Sequence, residues 1–147
     1  MSETHEVTIL LVEDDPGHAR LVEKNLRRSN LANEIITANN GQQALDYLFG
    51  EGEYANSDHP SPLLVLLDLN LPVLDGYQVL KRIKADTRTK HIPVIVLTTT
   101  DDAREVSRCY DLGCSVYVTK PVEYEQFSRA VRQLGLFLSV VTVPDNG

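Results

Sequence analysis

The stretch Leu63–Leu67 reads LLVLL and stops at Asp68. A strand with one wet face would alternate apolar and polar residues, and this one does not. A run that is apolar on both faces predicts a central parallel strand covered by helices on each side. Parallel neighbours need long crossover connections, so helices must lie between the strands.

The rest of the chain supplies them. Val7–Val12 is a second apolar run, and Asn33–Ala38, Val94–Leu97 and Val116–Thr119 are three more strand candidates. Between them, Ala19, Val22 and Leu26 recur at helical spacing, as do Ala44, Leu45 and Leu48, and then Tyr77, Leu80 and Ile83. Asp15 followed by Pro16 predicts a helix start, with the aspartate as N-cap. Asn39, Asn40 and Gly41 read as a turn, and Asp75 with Gly76 as turn and helix-cap chemistry. Asp102 and Glu105 have capping-box spacing, and Gly113 can end that helix after Leu112. A last helix is expected over Glu123–Leu138, with Phe127, Ala130, Val131 and Leu134 on one face. Strand and helix thus alternate five times, which predicts an α/β fold: a doubly wound, five-stranded parallel sheet with helices on both faces. Residues 1–138 are read as one domain and 139–147 as an extended tail. Gly50–Pro62 is expected to be an exposed loop, with Tyr54 packed back on the domain.

Charge narrows the partners. The formal net charge of -7 argues against a nucleic-acid surface, which needs clustered Lys and Arg. The start, MSETHEV, has neither the basic flank nor the apolar core of a signal peptide, and no apolar run approaches a membrane span. The expectation is a cytoplasmic protein with no membrane partner. Cys109 and Cys114 have no CxxC spacing and are expected to be buried and reduced. His5, His18, His59 and His91 are scattered without metal-ligand spacing and are expected to be exposed.

Ligands of open parallel α/β sheets bind at the carboxyl ends of the strands, near the point where strand order reverses. Here those ends carry Glu13, Asp14 and Asp15, then Asp68, then Thr98–Thr100, then Lys120 and Pro121. If the first and third strands are neighbours, several carboxylates share one crevice and repel. A divalent cation relieves that repulsion. Oxygen ligands with room for water suit Mg2+, and Lys120 and the Thr98 hydroxyl supply the opposing charge and a donor. Asp15 is assigned to capping and Thr100 to the helix entry. This is the layout of phosphoryl transfer, which relies on positioning and charge neutralisation.

The stretches LLVEDD, LLDLNLPVLDG, VIVLTTT and YVTKP, in that order over roughly residues 7 to 138, resemble the receiver domains of two-component response regulators. The resemblance implies Asp68 as phosphoacceptor. It implies Asp14 as a Mg2+ ligand, Glu13 as its acidic partner, and the Asn70 backbone carbonyl as a further ligand. It implies Thr98 as the switch hydroxyl, Lys120 as the active-site lysine, Pro121 as the residue that aims it, and Tyr117 as the aromatic that turns on activation. A sensor histidine kinase would be the phosphoryl source. The 50–62 loop, the tail and LLDLNLP together resemble the small stand-alone regulators that partner bacterial and cyanobacterial phytochrome kinases. No appended output domain is visible, so signalling is expected to pass through an unknown downstream protein, a phosphorelay or self-association. Such a chain would not be an enzyme beyond catalysing its own phosphorylation and autodephosphorylation.

Two other functions fit the fold less well. A flavin carrier needs a phosphate-cradling Ser/Thr/Gly loop after the first strand, where this chain has EDDP. A phosphohydrolase of the haloacid-dehalogenase type needs an acid two residues after the nucleophile, where this chain has Asn70. The tail adds one expectation. Val140, Val141 and Val143 are strand formers that would expose apolar surface in a monomer. Reciprocal exchange of tails in a homodimer would bury them, and folding back on the chain's own domain is the alternative.

Overall fold

The computed structural model describes residues 3–6, 8–28, 34–52, 64–99, 102–120, 123–126, 129 and 142–145. Their elements are β1 (Glu3–Glu6), β2 (Ile9–Val12), α1 (Pro16–Arg28), β3 (Ile35–Ala38), α2 (Gly41–Phe49), β4 (Leu64–Asp68), α3 (Gly76–Ala85), β5 (Val94–Thr98), α4 (Ala103–Asp111), β6 (Val116–Thr119) and β7 (Thr142–Asp145). The all-apolar run is the middle strand, β4, of a five-stranded sheet ordered β3-β2-β4-β5-β6. Every neighbouring pair in this sheet is parallel. The chain leaves β2 toward β3 on one side and returns to β4 on the other, so strand order reverses at β2.

The pleat divides the apolar residues between two cores. Leu10, Val12, Val65, Leu67, Val94 and Val96 join buried residues of α2, α3 and α4 on one face. Ile9, Leu11, Leu64, Leu66, Ile95 and Leu97 join Val22 and Leu26 of α1 on the other. The central strands β2, β4 and β5 are buried at every position, whereas the edge strands β3 and β6 are only partly covered.

The helix starts follow local chemistry. The Asp15 carboxylate accepts from the amides of Gly17 at 2.8 Å and His18 at 3.2 Å, which caps α1 as expected. Asn40 caps α2, and Asp75 forms a capping box with Gln78 at α3. The box expected between Asp102 and Glu105 is replaced by a simpler cap, in which Asp102 accepts from the Arg104 amide. The helix that follows stops at Asp111, with Gly113 beyond it at a φ of 105°.

Three expectations change at the ends of the chain. The first strand of the parallel sheet starts at Ile9 rather than Val7. The polar N-terminus forms β1, a strand that no apolar alternation predicts. Residues 142–145 of the tail are extended, as expected, but β7 pairs antiparallel with β1 of the same chain, Glu3 opposite Asp145 and Glu6 opposite Thr142. Of the helix expected over Glu123–Leu138, residues 124–126 and 129 are described as helical. Its first turn meets the end of α1, where the Arg28 guanidinium lies 3.8 Å from the centre of the Tyr124 ring. Phe127, Ala130, Val131, Leu134, Val140, Val141, Thr100, Pro121, His59 and Tyr54 lie outside the described residues. Among the described residues no helix is long and apolar enough to cross a membrane. Cys109 and Cys114 are free, buried thiols, and burial pushes their pKa values up to about 11 and about 12.

The loop from Leu69 to Asp75 is held against two helix starts by two glycines. A Cβ on Gly41 would stand 2.0 Å from the Leu74 carbonyl oxygen, and one on Gly76 would stand 2.4 Å from the Asp68 carbonyl oxygen. The Gly76 amide donates to the Leu69 carbonyl at 3.0 Å. Between these anchors Val73 adopts a φ of 68°, a left-handed conformation that a β-branched residue rarely takes. Because Gly76 abuts backbone rather than a movable side chain, Gly76→Ala should cost about 3 kcal/mol in urea unfolding, the upper end for overpacking. An unchanged midpoint would show that the loop can move away freely.

Candidate functional site

The parallel register brings the acidic residues together. Val12 lies opposite Leu67, so the next step along each strand sets Glu13 beside Asp68. Glu13 and Asp68 are buried and Asp14 is exposed, and carboxylate oxygens of the three lie within 4.8 Å of one another. On the far side, β6 ends at Thr119, and the Lys120 amide donates to the Thr98 carbonyl at 2.6 Å. That bond ties the end of β6 to the end of β5 and turns the lysine into the crevice.

Lys120 Nζ donates to Glu13 Oε1 at 2.5 Å and to Asp68 Oδ2 at 3.1 Å. Their side chains are almost completely enclosed, at 5% exposure for Lys120, 0% for Glu13 and 4% for Asp68. The other Asp68 oxygen, Oδ1, accepts from the Asn70 amide at 3.1 Å. Burial, followed by the shared hydrogen bond with Asp68, pushes the Glu13 pKa up to about 7 against the pull of Lys120. Burial also works against the charge on Lys120, yet the hydrogen bonds and charges of Glu13 and Asp68 outweigh it and raise its pKa. Asp15 stands apart, exposed and held below the usual carboxylate range by the amides of His18 and Gly17.

One ammonium therefore faces three carboxylates, and one of those carboxylates holds a proton near neutrality. An all-oxygen donor set with surplus negative charge fits a hard divalent cation such as Mg2+. Glu13, Asp14 and Asp68 are the side chains that could hold it, with Asn70 next to them in the loop. Thr98 is buried at the end of β5. Tyr117, in β6, packs partly buried against the core that contains α2, α3 and α4. The structure thus brings Glu13, Asp14, Asp68, Asn70 and Lys120 together and joins Thr98 through its carbonyl, while Tyr117 is placed in β6 against the core.

It also adds one. His18, expected to be an exposed bystander, is half-buried, with Nδ1 3.3 Å from Lys120 Nζ and 3.8 Å from Glu13 Oε1. The available signal was its place in the first turn of a helix started by Asp15, which returns the ring toward the strand ends.

A family model for the response regulator receiver domain matches residues 9–132. The chain belongs to the response regulator receiver family. It is 42% identical to Response regulator Rcp1 of Synechocystis sp. over 137 residues, covering 92% of each chain. A structure of the Mn(2+)-bound form of Rcp1 matches with a TM-score of 0.77 at 40% identity, over 93% of this receiver and 98% of that chain. The bacteriophytochrome response regulator RtBRR matches with a TM-score of 0.83 at 42% identity, over 90% of this receiver and 80% of that chain. The phosphorylated cyanobacterial phytochrome response regulator RcpA matches with a TM-score of 0.75 at 40% identity, over 88% of this receiver and 91% of that chain. Receiver domains bind Mg2+ at an acidic pocket, and this receiver has such a pocket in Glu13, Asp14 and Asp68.

With Glu13 as a ligand, its raised pKa would make metal binding depend on pH. Below about 7 the carboxyl carries a proton that an incoming ion must displace. Affinity for Mg2+ should therefore weaken as pH falls through that value, with proton release visible when calorimetric titrations are repeated in buffers of different ionisation enthalpy. Glu13→Gln should flatten the dependence between pH 6 and 8, and an unchanged slope in that variant would assign the proton to another group.

Proposed function

We propose that the chain is a phosphoryl-accepting switch: a sensor histidine kinase transfers a phosphoryl group to Asp68 in a Mg2+-dependent reaction. The observation that carries this reading is the Lys120 ammonium shared by two buried carboxylates, Glu13 and Asp68. The Asp68 carboxylate oxygen forms a bond to phosphorus as the phosphorus–nitrogen bond of the kinase's phosphohistidine breaks. The departing imidazole keeps the electron pair and takes a proton. Glu13, Asp14, Asp68 and the Asn70 carbonyl would hold the metal, which would supply positive charge to the phosphoryl oxygens. Lys120 faces the same oxygens from the other side, and the Thr98 hydroxyl donates to one of them. Drawing Thr98 inward leaves space into which Tyr117 turns, a local change with a packing readout.

The likeness to RtBRR and to RcpA supports a phytochrome as the kinase. The reduced thiols at Cys109 and Cys114 suit the cytoplasm. Phosphorylation is self-catalysed once a donor is bound, and the signal leaves through an unknown downstream protein, a phosphorelay or self-association.

Incubation with a small phosphodonor and Mg2+, followed by intact mass measurement, tests the assignment. The wild type is expected to gain one phosphoryl group and Asp68→Asn none that survives. Equal labelling of the variant would place the acceptor elsewhere.

The same reading includes a homodimer. The β1–β7 pairing joins the two ends of the chain, and the same hydrogen bonds form if β7 crosses to the β1 of a second copy. Removing residues 139–147 should convert a dimer into a monomer in light scattering. A truncated chain that remains dimeric, or a monomeric wild type at tens of micromolar, would remove the tail from that role.

A further inference from the structure

His18 has no part in the transfer described above, yet it touches the group on which that transfer depends. An ammonium only donates hydrogen bonds, so at 3.3 Å from Lys120 Nζ the His18 Nδ1 is the accepting nitrogen and the ring proton sits on Nε2. Lys120 carries three N–H bonds. Among the described residues its three acceptors are Glu13 Oε1 at 2.5 Å, Asp68 Oδ2 at 3.1 Å and His18 Nδ1.

The backbone of α1 fixes the ring in this place. Pro16 and Gly17 open the helix, and Asp15 Oδ1 accepts from both the Gly17 and His18 amides, so the first turn is pinned at the residue that carries the imidazole. Asp15 Oδ2 lies 3.7 Å from His18 Nδ1, beyond hydrogen-bond distance, and Glu13 Oε1 lies 3.8 Å away. Of these three charged neighbours, the lysine lies nearest Nδ1. The imidazole itself is 42% exposed, at the rim of the site and outside both cores.

We infer that His18 is a positioning residue that keeps the Lys120 ammonium over Asp68 while phosphoryl transfer proceeds. The inference rests on the proposed function. Of the three acceptors, Asp68 gives up carboxylate charge as its oxygen bonds to phosphorus, and Glu13 turns part of its charge to the metal. His18 is the one acceptor that the reaction leaves as it was. Without it, Lys120 depends on two carboxylates whose hold weakens at the step where the ammonium must face the incoming oxygens.

The test compares wild type with two variants by the rate of labelling with a small phosphodonor at saturating Mg2+. His18→Leu fills the space without an acceptor. His18→Asn puts an amide oxygen at the same number of bonds from Cβ as Nδ1. His18→Leu should label on the order of tenfold more slowly, the scale of one hydrogen bond to a charged group. His18→Asn should recover most of that loss, and urea midpoints should be the same in all three proteins. Leucine and wild type labelling at equal rates, or asparagine as slow as leucine, would overturn the positioning role and leave the proposed function standing. A wild type that takes no label would overturn both.

Discussion

The lysine ammonium shared between Glu13 and Asp68 is the interaction around which the molecule is arranged. Two carboxylates with almost no exposure lie side by side only with a compensating cation or a retained proton. A buried ion pair of this kind is weak evidence for stability, because desolvation opposes most of the attraction. Its value is chemical: it holds a carboxylate close to positive charge, with a third carboxylate exposed at the mouth. The Glu13 pKa rises chiefly because the carboxyl is buried and next because Asp68 lies beside it, and Lys120 offsets only part of that rise.

The fold exists in a form that protects that geometry. β2 and β4 are buried on both faces, so a shift in register would drag apolar residues out of one core and into the other. Glu13 and Asp68 are thereby fixed at the ends of two strands that cannot slide. The Thr98–Lys120 backbone hydrogen bond extends the same precision to the third strand end. The loop after Asp68 is held by Gly41 and Gly76 at distances that leave no room for a side chain. Strain at Val73 is localised in that loop, one step from the site, where a rigid scaffold can sustain it.

Much of this was legible in the sequence because it rests on local pattern. Leu63–Leu67 has no polar position, and only a central parallel strand accepts that. Asp15 and Asp75 are caps whose partners are two or three residues away. The acidic residues were recognisable because strand ends are where such sheets bind ligands. What escaped depends on distance along the chain. His18 meets a lysine 102 positions later, and no helical or strand period reports that encounter. β1 is polar throughout and pairs with the opposite end of the chain, so neither composition nor alternation marks it as a strand. The cap at Asp102 differs for a smaller reason: its carboxylate reaches the Arg104 amide, one position short of the box that the spacing with Glu105 suggests.

The carboxylate held against Lys120 is the group proposed to take the phosphoryl. Fragmentation mass spectrometry of the wild-type phosphoprotein, after trapping the labile acyl phosphate by reduction, locates the modified residue directly. A single modified position is expected, Asp68, with Glu13 and Asp14 untouched. Modification at either of those two carboxylates would contradict that assignment.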